Sequence, residues 1–272
     1  MPDAPLAEIA TFWTGAPLSY VERLCLQSFV DMGHPITLYS YEPIENVPDG
    51  VEKRDAREIL PEPATYITHA RTGSPAPHAD RFRYHLLRKR PGVIWADTDA
   101  YCLRPFVPVD GYFVGYCNAA SSLVNNGVLA LPADSTALQT LLDYTADEFA
   151  ILPWLPEAQL DEACRRSMSG DPMHVTEMPW GVWGPAALTW AMRRSREIRH
   201  ALPPDALYPV LYEDRRRFFR RAALLRRHVS DRTASIHLYG RRVRSRLTKE
   251  HGDVPPPGTI LHHLGLKHGL AA

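Results

Sequence analysis

The sequence has few of the features that would place it in a membrane, a disulfide framework or a zinc site. No stretch of its 272 residues approaches the ~20 apolar residues that a membrane-spanning helix needs. The four cysteines are scattered without a C-x-x-C pair, which indicates reduced thiols. Residues 1–5 contain no basic stretch followed by an apolar run, so no signal peptide is expected. The sequence therefore predicts a cytoplasmic protein.

Lysine is also scarce, with four residues, and the formal net charge is zero. The charge is nevertheless unevenly distributed, because Arg193 to Arg246 include sixteen arginines and only five acidic residues. A basic C-terminal third predicts an anionic partner, such as a membrane surface or a phosphorylated substrate. No recognisable nucleic-acid-binding module accompanies these arginines, so nucleic acid is not expected as a partner.

The apolar patterning predicts one α/β domain. Residues 8–13 and 36–41 are typical of strands, and the helix between them begins at a Ser19–Glu22 capping box and ends at Gly33. A strand, a helix and a strand within about forty residues form a βαβ unit and predict a parallel sheet. Further strands are predicted at 93–96, 112–116, 127–131 and 234–239, helices at 78–90, 135–149, 184–195 and 213–229, and loops at 42–63, 71–77 and from 255 onward.

The most informative segment is GVIWADTD at residues 92–99. Its apolar run predicts a buried strand, and Asp97 and Asp99 follow at the point where open α/β sheets bind their ligands. Two carboxylates this close suit a hard divalent cation that also holds phosphate oxygens. The alternative is a pair of solvated aspartates in an ordinary turn.

The preceding helix carries Asp80 and Arg83, which share one helix face at a spacing of i and i+3. The aspartate could hold sugar hydroxyls and the arginine could bind a pyrophosphate or a sugar oxygen. The alternative interpretation is an ion pair on the surface of the helix.

ADRFRYHLL at 79–87 and GVIWADTD resemble the S-D-x-x-R-Y-x-x-L and G-G-x-Y-x-D-x-D segments of the DXD-motif glycosyltransferases. This group includes bacterial capsular and lipopolysaccharide sugar transferases, initiation mannosyltransferases and, more distantly, glucosylating clostridial toxins. The resemblance extends to FWTG at 12–15, NNGVLA at 125–130, WGPAALT at 183–189 and SIHLY at 235–239. Tyr239 stands where the group commonly has tryptophan.

The resemblance implies a GT-A type fold, a Rossmann-like mixed sheet flanked by helices. It implies a single domain with a nucleotide-sugar-binding half at about 1–135 and an acceptor-side half at about 136–272. The implied reaction is transfer of a hexose, with retention, from a nucleotide sugar to a glycan or lipid-linked acceptor. A UDP-sugar is favoured as donor, and Mn²⁺ or Mg²⁺ as cofactor.

The resemblance also implies roles for individual residues. Asp99 would be a direct metal ligand, Asp97 would contact the ribose, the sugar or the metal, and His237 would complete the metal shell. Asp80 and Arg83 would orient the donor sugar. Trp13 would stack on uracil, and Asn125 and Asn126 would bind sugar hydroxyls.

Each of the candidate site residues other than the aspartates and Arg83 also has a simpler structural interpretation. His237 could be a buried strand histidine bonded to the backbone, and Trp13 could be a core residue. Asn126-Gly127 is a strong hairpin signal, so the two asparagines could simply form a turn.

Residues 213–229 contain an apolar stripe (Phe218, Ala222, Leu225, Val229), and Arg216, Arg220 and Arg227 lie opposite it on a helix. A basic amphipathic helix can lie on anionic lipid, which would place the protein at the inner face of the cell membrane. The alternative is a helix that packs its apolar stripe on the core and leaves a solvated basic face.

Two other functions fit parts of the pattern. A phosphatase of the haloacid dehalogenase type also has a strand followed by D-x-D, with the first aspartate as nucleophile. That motif normally lies near the N-terminus, and this chain has few lysines to supply the required cation. A non-catalytic sugar- or lipid-binding protein with the same fold is the third possibility.

Overall fold

The protein is described here by a computed structural model that covers residues 5–15, 17–120 and 122–270. Residues 1–4, on which part of the signal-peptide expectation depends, lie outside the described residues. The strands are β1 (Ile9–Phe12), β2 (Ile36–Ser40), β3 (Val51–Asp55), β4 (Ile94–Ala96), β5 (Ala100–Cys102), β6 (Phe113–Tyr116), β7 (Val124–Ala130) and β8 (Ser235–His237). The α-helices are α1 (Tyr20–Met32), α2 (Ala76–Lys89), α3 (Thr136–Thr145), α4 (Glu157–Met168), α5 (Ala187–Arg194), α6 (Pro204–Leu207), α7 (Gly240–His251) and α8 (Ile260–Leu266).

Six strands form one mixed sheet in the order β3-β2-β1-β4-β7-β6. The first four strands in this order are parallel, whereas β7 runs antiparallel to both β4 and β6. A separate antiparallel pair joins β5 to β8, with Ala100 opposite His237. The predicted α/β class with a mixed sheet flanked by helices is confirmed, and so is the βαβ unit. The division into halves at about residue 135 stays a prediction.

Helices cover both faces of the sheet because its central strands are apolar on both sides. In β4, Trp95 packs on one face with Phe82 of α2, whereas Ile94 and Ala96 pack on the other with Phe29 of α1. This alternation follows from the two-residue repeat of a strand. The side chain two positions after Trp95, Asp97, is therefore directed toward α2.

The boundaries of α1 agree with the sequence. The Ser19 hydroxyl accepts a hydrogen bond from the first turn, and the Glu22 side chain accepts one from the Ser19 backbone N–H, which completes the predicted capping box. Gly33 ends the helix at φ 88°, a left-handed conformation that glycine adopts without strain.

Two predictions of local structure are wrong because pairing partners distant in sequence decide them. Residues 42–63 include β3, an edge strand whose exposed charged residues resemble a loop. Residues 213–229 form two 3-10 helices, Tyr212–Phe219 and Ala222–Arg227, and not one α-helix. The backbone between them is extended because Arg220 and Ala222 bond to Ile260 and Gly258.

Four α-helices were not predicted at all. They are α4, which buries only Ala163 completely, the four-residue α6, and the C-terminal α7 and α8. The tail from residue 255 onward, which was expected to be a loop, therefore contributes α8, and this helix packs against the core with Leu261 and Leu264 buried.

The apolar stripe of segment 213–229 packs inward. Phe218 and Leu225 are buried in one cluster with Val243 of α7 and Leu261 of α8, whereas Arg216 and Arg227 are exposed. This arrangement favours packing on the core over insertion of the stripe into lipid. Among the described residues, no helix is both long and apolar enough to cross a membrane.

Replacement of Phe218 by alanine should lower the free energy of unfolding by about 3–5 kcal/mol, since it removes a buried aromatic side chain. The matched change Phe149→Ala, at a phenylalanine that is 48% exposed, should cost less than about 1 kcal/mol. Urea denaturation of both variants measures the difference. Equal losses would show that segment 213–229 does not pack on the core.

Candidate active site

Asp97 and Asp99 lie in a tight turn at the carboxyl end of β4. The Ala100 N–H donates to the Asp97 carbonyl at 2.9 Å, and the Asp97 N–H donates to the Gly127 carbonyl of β7 at 2.6 Å. The turn sends the two side chains in different directions, with Asp97 facing α2 and Asp99 facing β8. The aspartates do lie in a turn, but both are more buried than the solvated pair of the simpler interpretation.

The Asp97 carboxylate is fixed by two donors. Its Oδ1 accepts a hydrogen bond from Trp95 Nε1 at 2.8 Å and lies 3.1 Å from Arg83 Nη1. The Arg83 guanidinium also lies over the Trp95 ring, 4.6 Å from its centroid. Burial raises the pKa of Asp97, the Arg83 charge opposes this shift, and the negative charge of Asp99 adds to it.

Asp80, Arg83 and Asn126 form a buried network behind Asp97. Asp80 Oδ1 accepts from Asn126 Nδ2 at 2.7 Å and lies 3.2 Å from Arg83 Nη2, and Arg83 donates to the Asn126 carbonyl. Burial raises the pKa of Asp80 to about 6, against the opposing effects of Arg83 and Asn126. Gly184 permits the close packing here, since a Cβ at that position would lie 3.0 Å from Asp80 Oδ2.

Asp99 is held from the opposite side of the turn. Its carbonyl accepts from the Leu238 N–H at 2.8 Å, and its Oδ2 accepts from the Gly240 N–H at 2.6 Å. The remaining oxygen, Oδ1, lies 3.4 Å from His237 Nδ1. Both of these atoms are buried and have no hydrogen-bond partner. Unpartnered buried polar atoms are rare in proteins and require an explanation.

A cleft of about 600 Å³ opens above the two aspartates. This volume is within the usual range for small-molecule sites. The cleft has acidic and imidazole groups beside three arginines and three aromatic side chains. Its lining residues are Arg71, Thr72, Asp97, Asp99, Asn125, Trp180, Tyr212, His237, Tyr239, Arg241 and Arg242.

The structure brings four of the predicted site residues to this cleft, namely Asp97, Asp99, Asn125 and His237. Asp80, Arg83 and Asn126 lie beneath it and do not line it. The hairpin-turn interpretation of the asparagines is wrong, because both lie within β7. The Asn125 side-chain oxygen accepts from the Gly127 N–H at 2.8 Å.

Trp13 follows the carboxyl end of β1 but does not line the cleft. Its half-buried ring lies 5.3 Å from the guanidinium of Arg244, which is also bonded to the buried Glu22. Arg244 in turn lies close to Gly240, the residue that donates to Asp99. The predicted contact of Trp13 with uracil stays a prediction.

The residues that form the rim of the cleft were not predicted from the sequence. Arg71 and Thr72 come from a loop, Trp180 precedes α5, and Arg241 and Arg242 begin α7. Arg241 connects three of these parts, since it donates to the Thr72 carbonyl at 3.0 Å and lies 5.9 Å from the Trp180 ring centroid. The one available signal was the Arg-Arg pair four residues after His237.

The described part of the chain contains no set of three His, Cys, Asp or Glu side chains arranged to hold a metal ion. A metal ion could nevertheless bind between Asp99 Oδ1 and His237 Nδ1. Both atoms are possible metal ligands, and neither has a hydrogen-bond partner. Asp97 Oδ1 is instead engaged with Trp95 and Arg83. A metal here would therefore have two ready protein ligands and would take others from Asp97 Oδ2, water or substrate.

No protein-family model and no curated protein matches the chain. Among solved structures, it is similar to the PaToxG glycosyltransferase at 16% identity and a TM-score of 0.44, over 73% of this chain and 74% of that one. It is also similar to a transferase variant with two cysteine-to-serine changes, at 12% identity and a TM-score of 0.34, over 62% and 88%. Both TM-scores are below 0.5.

The raised pKa of Asp80 should appear as a dependence of stability on pH. With a pKa of about 6 in the folded chain and about 3.9 in the unfolded chain, the folded state binds more protons between these values. Stability should therefore fall by up to about 3 kcal/mol as the pH rises from about 4 to about 6. Asp97 acts in the same direction.

Asp80→Asn should reduce this fall, because asparagine does not titrate. Urea denaturation of wild type and variant at several pH values gives the comparison, with exposed Asp134→Asn as control. Parallel stability curves for wild type and Asp80→Asn would show that Asp80 titrates normally.

Proposed function

We propose that the protein is a metal-dependent glycosyltransferase of the GT-A type. It would transfer a hexose from a nucleoside diphosphate sugar, with a UDP-sugar favoured, to a glycan or lipid-linked acceptor. The observation that carries this proposal is the Asp97–Asp99 turn at the carboxyl edge of the sheet, on the floor of a cleft with three arginines at its rim. A ligand at this edge lies where open α/β sheets bind nucleotides.

Asp99 and His237 are the residues that would hold the Mn²⁺ or Mg²⁺ ion. In support, Asp99 Oδ1 and His237 Nδ1 are buried, adjacent and unpartnered. Carboxylate oxygen suits either ion, and imidazole favours the transition metal Mn²⁺ over Mg²⁺. When bound, the metal would supply charge neutralisation on the leaving diphosphate. The predicted participation of Asp97 as a ligand would use its Oδ2, because its Oδ1 is engaged with Trp95 and Arg83.

The arginines at the rim would bind the diphosphate directly. Arg71, Arg241 and Arg242 line the cleft, and none of them has a carboxylate partner among the described residues. A guanidinium can form charge-assisted hydrogen bonds with phosphate oxygens, which strengthen as negative charge develops during departure of the diphosphate. This stabilisation of the leaving group is the main chemical task in glycosyl transfer.

Asp80, Arg83 and Asn126 would act on the donor sugar through Asp97. All three are at most 6% exposed, so they are positioning residues in this structure. Asp97 and Asn125 face the cleft and are the side chains that would contact the ribose or the sugar hydroxyls. Retention of anomeric configuration is implied by the resemblance to DXD-motif transferases alone, and a front-face route would need no enzymic nucleophile.

The phosphatase alternative fits the site less well. Its nucleophile would be Asp97, whose Oδ1 is held by Trp95 and Arg83. That mechanism also needs a nearby lysine, and no lysine lines the cleft. The non-catalytic alternative differs from the transferase only in turnover, so nucleotide binding without donor hydrolysis or transfer would favour it.

Thermal shift with Mn²⁺ and a panel of UDP, GDP and CMP tests the proposal, because a ligand that binds only the folded state raises its melting temperature. We expect a rise that needs both Mn²⁺ and UDP. Asp99→Ala should abolish this rise and reduce sugar transfer at least a hundredfold, since it removes the proposed metal ligand. Asp231→Ala, at a fully exposed aspartate, is the matched control and should behave as wild type.

Two results would contradict the proposal. Full transfer activity in Asp99→Ala would exclude its role as a metal ligand. Absence of a shift with every nucleotide, together with hydrolysis of a generic phosphate ester, would favour the phosphatase.

A further inference from the structure

A second concave surface, of about 360 Å³, lies next to the cleft and is strongly cationic. We call it the basic groove. Its charged residues are Arg215, Arg216, Arg242, Arg246, Lys249 and Glu250. Five cations and one carboxylate in a single groove contrast with the zero net charge of the whole chain.

The cations come from two separate elements that converge. Arg215 and Arg216 belong to the 3-10 helix Tyr212–Phe219, whereas Arg242, Arg246 and Lys249 follow one face of α7 at intervals of four and three residues. Phe218 and Val243 pack in the same core cluster and so fix the two elements against each other.

Most of the charge in the basic groove is uncompensated. Glu250 pairs with Arg246 at 2.8 Å. In the described ranges, Arg215, Arg216, Arg242 and Lys249 have no carboxylate within ion-pair distance. Converging like charges destabilise a fold. A bound anion with more than one negative charge would offset this cost.

The basic groove adjoins the proposed donor site. Arg242 lines both the groove and the cleft. Between them lies Tyr212, which accepts a hydrogen bond from Arg242 Nε at 3.1 Å and has the Arg215 guanidinium 4.0 Å above its ring. A ligand held in the groove could therefore extend past Tyr212 to the cleft.

We propose that the basic groove binds a phosphate or diphosphate group carried by the acceptor, and so places the acceptor beside the donor sugar. The assignment to the acceptor depends on the proposed glycosyl transfer, whereas the anion site itself does not. A phosphorylated soluble glycan and a phospholipid headgroup present the same chemistry, and the experiment separates them.

The test variant is Arg216→Glu/Lys249→Glu, which reverses two exposed charges of the basic groove and leaves Arg242 of the cleft unchanged. The matched control is Arg226→Glu/Arg227→Glu, which makes the same change of net charge at two exposed arginines outside the groove. Both variants keep every residue that lines the cleft and make the same change of net charge, so a larger loss of pyrophosphate affinity in the groove variant reports on the groove.

Calorimetric titration with inorganic pyrophosphate should show at least about a tenfold weaker affinity in the groove variant and a change of less than about threefold in the control. Without anions, the groove variant should melt no lower than wild type, because the reversal relieves repulsion. Its melting temperature should rise less with pyrophosphate than that of wild type. Lack of pyrophosphate binding by wild type, or equal affinities in the two variants, would overturn the proposal.

Co-sedimentation with phosphatidylcholine vesicles, with and without phosphatidic acid, identifies the source of the phosphate. Binding that needs phosphatidic acid and is lost only in the groove variant would indicate a lipid headgroup. Pyrophosphate binding without vesicle binding would indicate a soluble acceptor. If both variants lose vesicle binding equally and keep pyrophosphate binding, the segment attracts anions only through its net charge and the groove site is excluded.

The same variant separates this proposal from the proposed glycosyl transfer. If both are correct, the groove variant should keep the Mn²⁺-dependent thermal shift with UDP and lose affinity for pyrophosphate. If the wild type shows no nucleotide shift but the groove-specific loss of pyrophosphate affinity is found, the glycosyl transfer fails and the anion site stands.

Discussion

The arrangement of the site depends on one buried arginine side chain, that of Arg83. The Arg83 guanidinium, in a residue only 4% exposed, lies between the carboxylates of Asp80 and Asp97 and over the Trp95 ring. It also donates to the carbonyls of Ala79 and Asn126, so α2, β4 and β7 are joined through a single side chain. A buried ion pair contributes little net stability, because desolvation cancels much of the attraction. The arrangement is better explained by the orientation that it gives to Asp97.

This constraint makes the two aspartates of the motif chemically different. Asp97 faces α2 and has its Oδ1 held by Trp95 and Arg83, whereas Asp99 faces β8 and keeps one buried oxygen, Oδ1, without a hydrogen-bond partner. Their separation follows from the turn that closes between Asp97 and Ala100. In an isolated motif the two carboxylates would be equivalent. Here the surrounding fold leaves Asp99 Oδ1 without a hydrogen-bond partner and holds Asp97 in a fixed orientation at the wall of the cleft, which supports the proposed metal-binding role of Asp99.

The sequence could predict the parts of the site that depend on local patterns. The apolar run before Asp97 predicts β4, the spacing of Asp80 and Arg83 predicts a shared helix face, and the late strand predicts the place of His237. It could not predict that Asp80 and Arg83 lie beneath Asp97, because that depends on how α2 packs on the sheet. For the same reason the Arg71 loop and Trp180 were missed, since their approach to the cleft depends on tertiary contacts with Arg241.

Long-range backbone pairing accounts for two of the wrong local predictions, at residues 42–63 and 213–229. Segment 213–229 has a helical apolar pattern, but hydrogen bonds from Arg220 and Ala222 to residues 258–260 require an extended backbone in its middle. This extended stretch also separates two groups of arginines. Arg215 and Arg216 face α7 across the basic groove, whereas Arg226 and Arg227 lie outside that groove.

The distribution of charge in the cleft argues for a metal-bound diphosphate over either ion alone. Two aspartates and a histidine form the floor, and three arginines form the rim. A free diphosphate would be attracted by the rim but repelled by the carboxylates of the floor, and a free cation would experience the reverse. A divalent cation joined to a diphosphate places positive charge against the floor and negative charge against the rim. The partial burial of Asp97 and Asp99 increases this discrimination, because charges interact more strongly where less water surrounds them.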